Sequence, residues 1–144
     1  MPPVLIWRGQ FTSKELNALQ AEAFRAPLVG NGERDWWGVV SRHSLGWVVA
    51  REGENLVGFV NVPWDGLVHA WIQDTMVSSD ARRLGIGSSL VAAARKGAME
   101  AGCDWLHVDF PPDLAAFYLA ACGFVPTTAG LIDLTAEGSV SDAR

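Results

Sequence analysis

Residues 77–90 read Val77-Ser78-Ser79-Asp80-Ala81-Arg82-Arg83-Leu84-Gly85-Ile86-Gly87-Ser88-Ser89-Leu90. A strand-like apolar run ends at Val77. A polar turn follows, then the basic pair Arg82 and Arg83, then two glycines one residue apart. A helical pattern begins at once, with Ile86, Leu90, Val91, Ala94 and Ala98 recurring at the spacing of one helix face. Glycines at a helix N-terminus let a ligand approach the backbone closely. The free amides there point outward and the helix dipole favours negative charge. With two arginines adding fixed positive charge, this stretch is suited to a pyrophosphate.

Three phosphate-binding arrangements compete for this loop. A P-loop requires Gly-x-x-x-x-Gly-Lys-Ser/Thr, and the lysine is missing. A dinucleotide fingerprint requires a third glycine where Leu90 stands, in a strand-turn-helix unit near the start of the chain; this one lies past the middle. The third is Arg/Gln-x-x-Gly-x-Gly/Ala after a strand, and Arg82-Arg83-Leu84-Gly85-Ile86-Gly87 matches it at every fixed position. That is the acyl-CoA pyrophosphate loop of the GNAT (GCN5-related) N-acetyltransferase superfamily, which this chain resembles.

Composition bounds the alternatives. A chain of 144 residues with 49% apolar side chains suits one domain with one core. The net charge of −5 argues against a nucleic-acid surface, since Arg82 and Arg83 form a local patch and no basic stripe. No apolar run approaches the roughly 20 residues of a membrane span, and Met1 to Arg8 lacks the pattern of a signal peptide. The only two cysteines, Cys103 and Cys122, read as buried thiols of a cytoplasmic protein. No His/Cys/Asp cluster has metal-ligand spacing, so no metal is expected.

Along the chain, Val4 to Trp7 reads as a strand. Thr12 and Glu15 form a capping box for a helix with Leu16, Leu19, Ala23 and Phe24 on its apolar face. Residues 26 to 45 read as a loop with one short helix near 35 to 42. Trp47 to Ala50, Leu56 to Val62 and Leu67 to Val77 then form an antiparallel meander punctuated by turn residues. A long helix runs from Gly87 to Ala101 and stops at Gly102. Trp105 to Phe110 is a buried strand, Asp113 caps a short helix to Cys122, and Leu131 to Leu134 is a last strand. Residues 1–134 therefore read as one domain and 135–144 as a loose tail.

The resulting order, β-α-α-β-β-β-α-β-α-β, is the GNAT order. The resemblance implies an α/β fold with a mixed central sheet, an antiparallel meander, a splay between strands 4 and 5, and helices on both faces. It implies acetyl-CoA as cosubstrate, its pantothenate arm on the backbone of Met76 and Val77 and its pyrophosphate on the amides of Arg83, Leu84, Gly85, Ile86, Gly87 and Ser88, beside Arg82. Phe117-Tyr118 ahead of Gly123-Phe124 matches a helix and turn found in many members. Three positions depart from the family pattern. Pro112 stands where an Asn is common, Leu119 where a Tyr is common, and Trp71 where some members carry a catalytic Glu.

Acetyl transfer to an amine needs a polarised thioester carbonyl, a neutral amine and a protonated leaving thiolate. The amide of Val77 suits the first role. Asp74, three residues before Val77, is either the base or amine anchor, or a carboxylate capping neighbouring backbone amides. Tyr118, the only tyrosine, is the acid if its helix carries a bulge or early turn, and a core aromatic if the helix is regular. The family's acceptor pocket maps to Trp36, Trp37, Glu33 and Asp35, with Trp64 and Trp71. Aromatics beside carboxylates suit an amine-bearing acceptor, a small molecule or a protein amine, through cation–π contact and charge pairing. His69 is placed at the rim and His107 on the fifth strand, both read as structural. The expected protein is a monomer or homodimer that acetylates primary amines; the alternative is a CoA-binding regulatory or interaction module without catalysis.

Overall fold

The structure is a computed structural model that describes residues 2–24 and 33–135. The chain forms two compact units, Met1–Val108 and Asp109–Arg144. The first holds the sheet. Strands β1 (Val4–Trp7), β2 (Ser44–Glu52), β3 (Asn55–Pro63), β4 (His69–Val77) and β5 (Trp105–Val108) lie side by side in that order. The first three pairings are antiparallel, and β4 pairs with β5 in parallel. A parallel neighbour needs a crossover, and helix α3 (Ile86–Glu100) supplies it.

Helices cover both faces of the sheet. On one face, Gly58 of β3 leaves only narrow room beneath Ile86 and Leu90 of α3, and Ala50 shares that side. On the other face, helices α1 (Ser13–Ala23) and α2 (Trp36–His43) close over a core of Phe11, Leu16, Leu19, Trp36, Val40, Trp47, Val49, Phe59 and Met76. The ring of Trp7 is held between Gly46 of β2 and Gly97 of α3; a Cβ at Gly97 would lie 2.6 Å from it. Side chains at both positions are excluded because a flat indole fills the space.

Helix α1 begins with the expected box. Thr12 Oγ1 accepts from the Glu15 amide at 3.1 Å, and Glu15 Oε1 accepts from the Thr12 amide at 2.9 Å. Glu15 also meets the Arg51 guanidinium of β2 through both carboxylate oxygens, at 2.7 and 3.0 Å. That bond, helped by the Thr12 amide and opposed by partial burial, lowers the carboxyl to about 2.

The second unit holds a 3₁₀ turn, Pro112–Leu114, and a π-helical segment, Ala116–Ala121. The Cys122 amide bonds the Phe117 carbonyl five residues back at 3.0 Å, and Gly123 closes the segment with a left-handed φ of +82°. The strand expected at Leu131 to Leu134 is not formed. Those residues pair with no strand, Leu131, Ile132 and Leu134 are exposed, and Asp133 Oδ1 turns the chain locally by accepting from Thr135. Four residues after Gly130 have no ladder to join and bury no apolar face. The tail beyond 135 and the part of the early loop at 25–32 lie outside the described residues.

Candidate functional site

The loop singled out in the sequence is built as follows. Ser78 leaves β4 with its amide on the Val57 carbonyl at 2.8 Å, and residues Ser79–Leu84 make a 3₁₀ helix. Gly85 then takes φ 72°, ψ 17°, a left-handed conformation that turns the chain into α3. Gly85 offers α3 no side-chain cap, and the first turn carries no acidic residue. The leading amides of Ile86, Gly87 and Ser88 therefore face outward without an intrahelical acceptor, at the positive end of a 15-residue helix dipole. Ile86 is buried and pins the helix to the sheet, while Leu84 and Gly85 are exposed. Gly87 lies within the helix and takes no positive φ, so the special backbone requirement rests on Gly85 alone.

The loop is tied to the end of α1. Glu22 Oε1 accepts from both the amide and the hydroxyl of Ser79, at 3.1 and 2.8 Å. Arg82 donates from Nη2 to the Ala23 carbonyl. Arg82 thus braces the loop against the negative end of α1.

Strand β4 leads into the loop with two irregularities that matter. Its register with β5 ends at Ile72↔Val108, whereas β4 itself runs on to Val77. This is the splay the fold expectation called for. Its pairing with β3 slips between Phe59↔Met76 and Asn61↔Gln73, which leaves one extra residue in β4, a β-bulge. Asp74 sits in that bulge with a φ of +56°, an uncommon state for a residue with a side chain and a type of strain that collects at functional sites. Asn61, almost fully buried at 7% exposure, donates from Nδ2 to Asp74 Oδ2 at 3.1 Å. The Ser44 hydroxyl in turn donates to Asn61 Oδ1 at 2.5 Å. Asp74 is therefore held by a side-chain chain from two neighbouring strands.

Hydrogen bonding alternates along an antiparallel strand. Since the Ser78 amide bonds β3, the N–H and C=O of Val77 are directed to the opposite edge, where β5 is absent. Met76 turns its own backbone groups towards Phe59, and its side chain is buried in the core.

The tryptophans divide. Trp36 is 3% exposed and its indole Nε1 donates to Asn17 Oδ1 at 3.2 Å, so it is a core residue. Trp37 is 39% exposed and stacks edge-on against Phe11 and Trp47, at 5.1 and 5.6 Å between centroids. It borders an open cleft of about 600 Å³ together with Phe11, Asp35, Glu15 and Arg51. Asp35 caps α2 by accepting from the Gly38 amide at 3.1 Å. Glu33 is exposed, and Trp64 forms an isolated bridge with Ala70. Trp71 stacks on His107, which in turn meets His69. The sequence gives no hint of that histidine contact, because it joins residues 38 apart.

Burial raises the thiols of Cys103 and Cys122, Cys103 also through Asp65 and Asp104, so neither is activated as a nucleophile; both are free. In the second unit Tyr118 is 7% exposed, stacked on Phe110 and edge-on to Phe117 and Phe124. Among the described residues no group of three or more His, Cys, Asp or Glu side chains converges as a metal site would. No helix among them is long and apolar enough to cross a membrane.

A sequence model of the acetyltransferase (GNAT) family matches residues 9–124. The fold agrees with solved acetyltransferases. The aminoglycoside acetyltransferase AAC(6')-Iy, solved with a CoA-linked bisubstrate analogue, superposes with a TM-score of 0.73 at 14% identity, over 94% of this chain and 99% of that one. An aminoglycoside acetyltransferase from an uncultured soil metagenomic sample gives 0.72 at 15% identity, over 92% and 95%. A GNAT-family protein of Streptococcus pneumoniae TIGR4 gives 0.69 at 22% identity, over 93% and 98%. No curated protein sequence matches. The class defined by the family match and the mixed, unclosed sheet is that of the acyl-CoA N-acetyltransferases. The chain belongs to the acetyltransferase (GNAT) family and is an N-acetyltransferase.

Proposed function

We infer that this protein transfers an acetyl group from acetyl-CoA to a primary amine by direct attack in a ternary complex. The observation that carries this reading is the run from the Asp74 bulge through Val77 to Gly85. A strand whose edge is open at Val77 leads, through the 3₁₀ helix Ser79–Leu84, into a helix N-terminus with no side-chain cap. The amides of Ile86 to Ser88 would hold the pyrophosphate, and the open edge at Val77 would pair with the pantetheine arm. Acetyl-CoA supplies an activated thioester. In this reading the N–H of Val77 polarises its carbonyl, and Asp74 accepts from or anchors the amine.

Tyr118 is assigned as the acid that protonates the leaving thiolate. Its support is the π-helical segment, the local adjustment that a tyrosine one position early requires. Trp37 and Asp35, at the cleft, are assigned to the acceptor. Trp36 supports them from the core. The family match crosses the boundary between the two units, which supports one acetyltransferase domain over residues 1–134. A cytoplasmic location belongs to the same reading, on the two unpaired cysteines.

Among the structurally similar proteins are aminoglycoside and glucosamine-6-phosphate acetyltransferases, which argues for a small-molecule amine acceptor. The test is thiol release from acetyl-CoA in the presence of aminoglycosides, glucosamine 6-phosphate and free peptide N-termini. Turnover with one of these amines is expected. Acetyl-CoA binding with no turnover across the panel would instead assign the chain to a CoA-binding module.

A further inference from the structure

A β-bulge lies on either side of Asn61 in β3. The one in β4 holds Asp74. The other is in β2, where Ser44↔Pro63 and Gly46↔Val62 leave Leu45 as an extra residue. An extra residue moves the side chains beyond it to the other face of the sheet, so Ser44 comes to the face of Asn61. Arg8 fixes this bulge by donating to the Leu45 carbonyl, from Nε at 3.0 Å and from Nη2 at 2.6 Å. Asn61 shares its face with Phe59 and is the register partner of Trp47, and both aromatics belong to the core beneath α1 and α2. Trp47 in turn meets Trp37 at the cleft.

The hydrogen bonds through Asn61 run in one direction. A carboxylate only accepts, so Asp74 keeps the amino group of Asn61 on its own side. The carbonyl of Asn61 then faces Ser44 and accepts from its hydroxyl. Without that hydroxyl the amide is free to turn over, and its oxygen would meet the Asp74 carboxylate as one acceptor against another. Asp74 Oδ1 has no hydrogen-bond partner among the described residues. The arrangement works against stability. It places an amide among aromatic rings, a positive φ on a residue with a side chain, and an interruption in two ladders. Apolar side chains of similar shape would fill the same space at little or no cost. What the arrangement secures is one carboxylate held in one orientation.

We propose that Ser44 and Asn61 are positioning residues that orient Asp74 towards the acceptor amine. This rests on the acetyltransferase reading above. Ser44 locks the amide of Asn61, Asn61 holds Oδ2 of Asp74, and Oδ1 receives an N–H of the acceptor. No bond to Ser44 or Asn61 is made or broken in the transfer. Both act on the amine through Asp74 alone and leave the acetyl-CoA groups at Val77 and α3 untouched.

The test compares Ser44→Ala, Ser44→Thr and Asn61→Leu in steady-state acetylation of the best amine of the panel. Acetyl-CoA affinity and the denaturation midpoint are measured in parallel. Ser44 is half-buried at the first position of β2, so its variants keep the fold. Ser44→Ala is expected to lose about 10- to 100-fold in kcat/KM for the amine, at wild-type acetyl-CoA affinity. Ser44→Thr keeps the hydroxyl and is expected to restore most of the rate. Asn61→Leu keeps the shape and removes the amide. It should lose at least as much activity as Ser44→Ala, with a midpoint at or above the wild-type value. Wild-type kinetics in Ser44→Ala, an equal loss in Ser44→Thr, or a midpoint that falls together with activity in Asn61→Leu would each overturn the positioning role alone. A wild-type protein that acetylates no amine overturns the acetyltransferase reading and the positioning role with it.

Discussion

At Asp74, two demands meet in one residue. A φ of +56° costs a non-glycine residue on the order of 1–2 kcal/mol, and nothing in strand pairing repays it. The carboxylate gains a fixed donor, Asn61, and a place beside the open edge of β4. Asp74→Asn keeps the size and an acceptor oxygen for Asn61 but removes the charge. Turnover is expected to fall about 10²-fold or more with acetyl-CoA affinity unchanged, read by steady-state kinetics and calorimetry. A wild-type rate across pH would remove Asp74 from the chemistry. Glu15 illustrates a purely structural charge. Because Arg51 lowers its carboxyl to about 2, the folded form prefers the ionised group. The sign follows: the contribution is full above the unfolded value near 4.5 and is lost as pH falls through about 2. The pair is partly exposed, so screening limits it to about 1 kcal/mol. Glu15→Gln should lower stability by that amount at pH 7, and the deficit should vanish by about pH 2 in denaturant melts.

At the element scale, packing sets the rules. Trp7 fills the space between β2 and α3, where neither Gly46 nor Gly97 leaves room for a methyl group. Gly97→Ala is expected to destabilise by about 1–3 kcal/mol, visible as a lower denaturation midpoint, despite alanine's better helix propensity. The π-helical segment is the other element with a consequence. Tyr118→Phe should lower the maximal rate about 10²- to 10⁴-fold with little change in acetyl-CoA affinity. A full rate would assign the ring to packing with Phe110, Phe117 and Phe124. These elements also show what a sequence discloses. The capping box at Thr12 and Glu15, the meander and the helix after Gly85 were legible because their signals are local: a cap, an alternation, a glycine. The Asp74 bulge was not, since Gln73-Asp74-Thr75 shows only polarity. The extra residue exists relative to the register with β3. The His69–His107 contact depends on which strands become neighbours. The missing strand at Leu131 to Leu134 shows the converse, a local apolar signal with no ladder to receive it.

For the whole molecule, the proposed acetyl-CoA site rests on one junction: an open strand edge ahead of a helix N-terminus with no side-chain cap. The fold of the first unit provides both by ending the β4–β5 ladder early and placing Gly85 at the turn into α3. The family match fixes the class of reaction. Which of the adjacent tryptophans is exposed was not readable, because Trp36 is buried in the core and Trp37 lies at the surface. The most direct measurement is calorimetric titration with acetyl-CoA and with S-acetylpantetheine, which lacks the pyrophosphate, on the wild type and on Gly85→Val. Acetyl-CoA should bind the wild type at least about 10-fold more tightly than the truncated thioester, a difference of about 1.4 kcal/mol supplied by the helix amides. Gly85→Val should erase most of that difference while remaining folded. Equal affinity for the two thioesters, or no acetyl-CoA binding at about 1 mM, would contradict the account.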